Sequence, residues 1–197
     1  MQTEKEKMLA GELYDCGDPE LLAMWRRGKN LMRQYNTTDY ADSATLESLL
    51  GTWLGSKGCN TWITAPFYAD YGCFIRLGDN CEINMNCVFL DCNWITIGSH
   101  ALIAPGVQIY TVFHPVRAAD RFHVSEARDG RSEFPFAISR TAPVTIGEHV
   151  WIGGSSIIMP GVTIGNNVTV GAGSVVTHSI PDNKLAYGNP CRVVRDL

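Results

Sequence analysis

The sequence predicts a mainly β protein: a parallel β-helix of hexapeptide repeats, preceded by a short α-helical segment and interrupted by one long excursion loop. Three observations carry this prediction. Aliphatic residues recur every six positions toward the C-terminus, a weaker array with the same spacing precedes them, and a polar interval without the pattern lies between.

The later array counts in sixes from Ile146 through Ile152, Ile158, Ile164 and Val170 to Val176 without a miss. Four positions after each stand Val150, Ser156, Val162, Val168, Ser174 and Ile180, all small or β-branched. Glycine directly follows the leading residue at Gly147, Gly153, Gly165 and Gly171. An α-helix has no use for this spacing, because six residues advance it by about 600° and leave each aliphatic about 120° from its predecessor. A triangular coil does. Every six residues make one short strand and a corner, the leading aliphatic points inward from each side, and glycine relieves the corner. Successive coils then stack strand on strand, with aliphatic ladders along the axis.

The earlier array runs Leu77, Ile83, Phe89, slips by two residues, and resumes at Ile97, Ile103 and Ile109. Between Ile109 and Ile146 the pattern gives way to His114, Pro115 and the polar stretch RAADRFHVSEARDGRSEFPFAISRTA. That interval reads as a loop over about residues 112–142, and a loop of such length inside a compact repeat domain is usually functional or disordered. Upstream, Asp18 is placed as the N-cap and Pro19 as the first residue of a helix over DPELLAMWRRGKNLMRQYN. A second helix covers SATLESLLGTWL and ends at GSKG. The chain thus divides into a helical segment, 1–56, packed on a β-helix domain, 57–197, that finishes in a C-terminal tail.

At 197 residues the chain can build one domain with a real core. Its 16 basic and 20 acidic residues give a formal net charge of −4, which excludes the basic footprint of a nucleic-acid binder. Cys16, Cys59, Cys73, Cys81, Cys87, Cys92 and Cys191 have no regular spacing and no CxxC pair, as expected of reduced thiols in a cytoplasmic protein. The opening MQTEKEKMLAGELY lacks the apolar core of a signal peptide, and no apolar run is long enough to span a membrane.

His114, within TVFHPV, stands where the repeat breaks. It could be a packed structural residue, a metal ligand or a base, and neutral imidazole suits the removal of a proton from a hydroxyl near pH 7. The metal reading is weakened by the spacing of His100, His114, His123, His149 and His178, which includes no pair five apart of the kind that holds zinc in the related γ-type carbonic anhydrase coil. A Cys–His nucleophile pair has little support, since Cys81 and Cys87 fall on small inward positions where a thiol acts as a small hydrophobe.

Several motifs together resemble the maltose/galactoside O-acetyltransferases, hexapeptide-repeat acyltransferases, over nearly the whole chain. They are KEKMLAGELY at the start, DYG at 70–72, IAPGVQIYTVFHP at 103–115, TIGEHVWIGGSSIIMPGVTIG at 145–165, and GNPCRVVRDL at the end. The resemblance implies a left-handed parallel β-helix, where the general rule for parallel crossovers would give a right-handed one. It also implies a homotrimer with active sites between subunits. Acetyl would pass directly from acetyl-CoA to a hydroxyl of a sugar or similar small molecule, without a metal, and His114 would be the general base.

By the same resemblance Asp15, Asp70, Asn84 and Asp91 would bind the acceptor. Trp151, Gly154, Ala172, Thr177, His178, Arg192 and Arg195 would line the CoA arm and its phosphates. Asn and Asp are also ordinary corner residues, Ala172 could be a plain corner, and Arg195 a solvated terminus. The chain departs from the family pattern at Trp25, where a basic residue is common, at Glu82, where an aromatic is common, and at His178, where lysine is common. Glu126 or Glu133 in the long loop could orient His114. The competing reading is a non-catalytic β-helix scaffold or regulatory subunit that kept the coil and lost the chemistry.

Overall fold

The computed structural model describes residues 2–121 and 138–197. Among them, three parallel sheets form the faces of a triangular coil. The first face stacks Ser56–Lys57, Ile75–Leu77, Ile95–Ile97, Val144–Ile146 and Thr163–Ile164. The second stacks Trp62–Ile63, Glu82–Ile83, Leu102–Ile103, Trp151–Ile152, Thr169–Val170 and Lys184–Tyr187, and is closed by antiparallel Arg192–Asp196. The third stacks Tyr68–Ala69, Val88–Leu90, Gln108–Tyr110, Ile157–Ile158 and Val175–Val176.

The six-residue period works as the sequence suggests. Ile146, Ile152 and Ile158 sit on the three faces in turn, and each joins a ladder of buried residues. On the second face Ile83, Ile103, Ile152 and Val170 are in register and are all buried. Burying one such aliphatic contributes roughly 1.5–3 kcal/mol, so the ladders dominate the favourable side of folding. Cys81 and Cys87 are buried beside them, at the small inward positions.

The slip in the earlier array has a structural cause. Leu77 pairs with Ile97 but Ile146 pairs with Ile164, so the early turns are two residues longer than the late ones. The surplus falls at the corner between the third face and the first, around Tyr71–Phe74 and Asp91–Trp94. The long loop leaves the coil from this same corner.

Three helices cover the start of the coil. α1, Glu4–Ala10, was not expected from the apolar pattern. It is held by a Thr3/Glu6 capping box and stops at Gly11, whose φ of 74° suits glycine. α2, Pro19–Thr37, begins as expected, with Asp18 accepting from the backbone N–H groups of Glu20 and Leu21. α3, Ser43–Trp53, follows the cap Asp42 and buries Leu46, Leu50 and Trp53. Trp53 meets Phe67 edge-on at 5.7 Å, and Phe67 meets Phe89 at 5.0 Å, which ties α3 into the interior of the coil. α2 lies so close to the early corner that a Cβ on Gly28 would come within 2.6 Å of the Tyr71 carbonyl oxygen and 2.8 Å of that of Asp70.

The loop begins as structure. Val112–Phe113 pairs antiparallel with Arg140–Thr141, and a bridge from Tyr14 to Ser139 adds the N-terminal segment as a third line. Buried Asn93 fastens this ribbon to α1, donating from Nδ2 to Thr141 Oγ1 at 2.8 Å and to the Met8 and Leu9 carbonyls at 3.3 and 3.2 Å. Glu126 and Glu133 lie outside the described residues. No helix among the described residues is long and apolar enough to cross a membrane.

Candidate active site

The ribbon sets the position of His114. Phe113 is opposite Arg140 in the antiparallel register, so the next residue, His114, falls beside Ser139 and Ile138. His114 Nδ1 lies 3.0 Å from the Ile138 carbonyl oxygen and 3.3 Å from Ser139 Oγ. A carbonyl oxygen can only accept, so Nδ1 carries the proton and donates it. In the neutral ring Nε2 is then the nitrogen that can accept a proton, as a base requires.

His114 lines a cleft of about 600 Å³ with Tyr14 and Cys16 from the N-terminal segment, Leu22, Trp25 and Arg26 from α2, and Asp70, Tyr71, Cys92, Val112 and Ser139. The two-residue surplus at this corner is what brings Tyr71 and Cys92 out to the cleft wall. Asp70 is held firmly. Lys29 donates to its Oδ1 at 3.0 Å and to the Ala69 carbonyl at 2.7 Å, and the Cys92 thiol lies 3.6 Å from Oδ2. The Lys29 ammonium also stands 5.3 Å from the centre of the Trp25 ring.

The thiols and phenols of the cleft are poor bases at neutral pH. Burial pushes the Cys92 thiol well above the usual range, reinforced by the charge of Asp70. Burial likewise raises Cys16, with Asp15 adding to it. The phenols of Tyr14 and Tyr71 are raised strongly, again mainly by burial. These four groups stay protonated and neutral, which removes a cleft thiolate as nucleophile and leaves His114 and the Lys29-paired Asp70 as the remaining groups able to take a proton.

Asp91 requires a correction. It is fully buried and accepts from the backbone N–H groups of Asp70 and Tyr71 through Oδ1, at 3.0 and 2.9 Å, and of Phe74 through Oδ2 at 3.3 Å. Its carboxyl shapes the corner and is not open to an acceptor. Asp15 is exposed next to the cleft: its Oδ1 accepts from Gly17 N–H at 2.8 Å to close the turn before α2, while its neighbours Tyr14 and Cys16 line the cleft. Asp70 alone among the expected acceptor residues shares the His114 cleft within one chain.

Asn84 stands at a different corner, between the second and third faces, where it donates to Glu82 Oε1 at 3.0 Å. Gly154 and Ala172 occupy the same corner on later turns, next to Trp151, whose side chain is 54 % exposed. Trp151 continues the outward column of Glu82 and Leu102. His178 and Arg192 share a second cleft of about 330 Å³ with Ser179, Ile180, Cys191 and Val193. Thr177 Oγ1 lies 2.9 Å from His178 Nδ1, and Arg195 points along its own strand to the Asp196 carbonyl. Among the described residues no group of three or more metal-ligating side chains occurs. His100 and His149 stack 4.7 Å apart and nearly parallel, at the corner between the first and second faces.

Sequence reading missed Ser139, Cys92 and Arg26 as cleft residues. Ser139 was hidden in what read as loop. The two-residue slip after Phe89 was the available signal for Cys92.

Residues 7–58 match the maltose acetyltransferase hexapeptide capping motif, and residues 143–178 match the bacterial transferase hexapeptide, six repeats. The chain is 44 % identical to Nodulation protein L of Rhizobium meliloti over 193 residues, covering 98 % of each protein. It superposes on the crystal structure of a maltose O-acetyltransferase from Clostridium difficile with a TM-score of 0.89 and 42 % identity, over 99 % of this chain and 97 % of that one. Against galactoside acetyltransferase in complex with coenzyme A the TM-score is 0.88 at 36 % identity, over 100 % and 92 %.

Proposed function

The chain belongs to the maltose/galactoside O-acetyltransferase family of hexapeptide-repeat acyltransferases, and on that premise we propose that it transfers acetyl from acetyl-CoA to a hydroxyl of a sugar or similar small molecule, with His114 as general base. The observation that carries the reading is the pairing of His114 Nδ1 with the Ile138 carbonyl, which in the neutral ring leaves Nε2 to accept a proton, on a residue that lines a cleft of about 600 Å³.

The residues present suit a CoA thioester. Arg192 and His178 offer a guanidinium and an imidazole to phosphate in one cleft. The corner at Gly153, Gly154, Ser155, Gly171, Ala172 and Gly173 carries only small side chains over two turns, which leaves room beside exposed Trp151 for an extended arm. When bound, acetyl-CoA supplies an activated acetyl carbon. Nε2 of His114 takes the proton of the acceptor hydroxyl as its oxygen attacks that carbon. The C–O bond forms, the C–S bond breaks, and the proton passes from His114 to the departing sulfur. Asp70, fixed by Lys29, orients the acceptor through its hydroxyls.

The same geometry supports a three-fold homotrimer. His114 and Asp70 lie at the corner between the third and first faces, but Asn84, Trp151, Gly154 and Ala172 lie at or beside the corner between the second and third. One whole face separates the two sets. Closed three-fold packing would bring one corner of each subunit against the other corner of its neighbour and join acceptor, base and donor. The function is tested by incubating the protein with acetyl-CoA and a panel of sugars and small alcohols, and detecting acetylated product by mass spectrometry together with CoA release. Product dependent on an added hydroxyl compound supports the reading. Absence of product across the panel, with acetyl-CoA demonstrably bound, favours a scaffold.

A further inference from the structure

We propose that the acceptor carries an anionic substituent, a carboxylate or phosphate, and that Arg26 receives it. This rests on the acetyl-transfer reading above and narrows its substrate class.

The argument is one of charge accounting within the cleft. Among the described residues, several nearby cations are engaged. Lys29 pairs with Asp70, Arg27 donates to the Thr52 carbonyl at 3.3 Å, and Arg121 donates to the carbonyls of Pro115 and Val116 at 3.1 and 2.9 Å. Arg76 stacks on Trp94, its guanidinium carbon 3.6 Å from the ring centre. Arg26 lines the cleft and, among the described residues, makes no hydrogen bond or ion pair. Its neighbours one helical turn away are Leu22, Ala23, Lys29 and Asn30, none of them acidic.

The described lining offers Arg26 no counter-charge either. Asp70 is the single acid among the described lining residues, and Lys29 already pairs with it at 3.0 Å. Tyr14, Tyr71, Cys16 and Cys92 are neutral. The described cleft therefore holds one uncompensated positive charge, beside a Trp25 indole that is 40 % exposed. A hydroxyl-rich neutral acceptor would use Asp70 and the indole and leave the guanidinium idle. An acceptor with an oxyanion engages all three: the indole takes the apolar sugar face, Asp70 the hydroxyls, and the planar guanidinium the two anionic oxygens.

The test compares three acceptors on the full-length protein: a neutral hexoside, the matching uronic acid, and the matching sugar 6-phosphate. Affinity is read by calorimetry without acetyl-CoA, and kcat/KM with it. Both are repeated on Arg26→Gln and Arg26→Lys. The expected result is that at least one anionic sugar exceeds the neutral parent by about tenfold or more, the size of a charge-assisted pair. The anionic-to-neutral ratio should collapse in Arg26→Gln and recover in part in Arg26→Lys. Which anion gains tells carboxylate from phosphate. A neutral sugar that equals or beats both anions, or an Arg26→Gln change that lowers all three acceptors alike, overturns the proposal. Because binding is measured apart from turnover, loss of acetyl transfer with the charge preference intact would sink the activity and leave this site standing.

Discussion

The Nδ1 atom of His114 lies 3.0 Å from the carbonyl oxygen of Ile138, across the ribbon through which the long loop leaves and rejoins the coil. A strand register thereby sets the tautomer of the candidate base. Nothing in the coil itself would do so, which is why α1, Asn93 and the Tyr14–Ser139 bridge matter as much as the repeats.

Asn93→Ala tests that clamp. It removes the donor to Thr141 Oγ1 and to the Met8 and Leu9 carbonyls, all buried or partly buried. Leaving such groups unpaired costs about 1–3 kcal/mol, so the urea midpoint should fall. Turnover should fall further than the stability loss explains, with KM for acetyl-CoA little altered. Unchanged kcat would separate the ribbon from the chemistry.

Gly28→Ala tests how α2 is seated. Its Cβ would meet backbone atoms of Asp70 and Tyr71 at 2.6–2.9 Å, and backbone cannot rotate aside. The helix must lift from the corner, at a cost of roughly 1–3 kcal/mol. Trp25 and Lys29 move with it, so KM for the acceptor should rise more than KM for acetyl-CoA. A crystal structure of the variant with α2 unmoved would refute the seating.

Asp91 makes stability depend on pH. Burial, partly offset by the N–H of Tyr71 and reinforced by the charge of Asp70, pushes its carboxyl from 3.8 up to about 7. The folded state then holds the proton more tightly than the unfolded chain. The stability this provides is full below about pH 4 and is lost as pH rises toward 7, by about 4 kcal/mol at ~1.4 kcal/mol for each tenfold change in proton affinity. Urea unfolding of wild type and Asp91→Asn between pH 4 and 8 should show a difference that shrinks or changes sign across this window. Parallel profiles would mean that Asp91 is ionised in the fold.

Arg192→Ala should raise KM for acetyl-CoA about tenfold or more, the loss expected for a charge-assisted phosphate contact, with a smaller effect on the acceptor. Equal effects on both substrates would assign Arg192 to the terminal strand pairing instead.

Much of this fold was legible because the hexad is both periodic and chemically monotonous. Ile146 to Val176 announce three faces by their spacing alone, and Asp18 with Pro19 marks α2 by capping chemistry. The cleft was less legible. Asp91 has the composition of a ligand and the burial of a strut, and only the N–H groups of Asp70, Tyr71 and Phe74 distinguish the two. Ser139 and Asn93 act through contacts more than twenty residues away in sequence, beyond the reach of any local pattern. α1 is too short for its apolar periodicity to register, and its capping box was the signal to read.

The most direct test returns to His114. His114→Asn retains a compact polar side chain but has no group that takes up a proton near neutral pH. With acetyl-CoA and an accepted hydroxyl compound, kcat should drop by about 10²–10⁴-fold, while the particle mass measured by light scattering and the affinity for acetyl-CoA stay as in the wild type. Positioning of the two substrates survives the change, so the loss should stop short of complete inactivation. Turnover of His114→Asn within a few-fold of wild type would contradict the account and make His114 a structural residue of the ribbon.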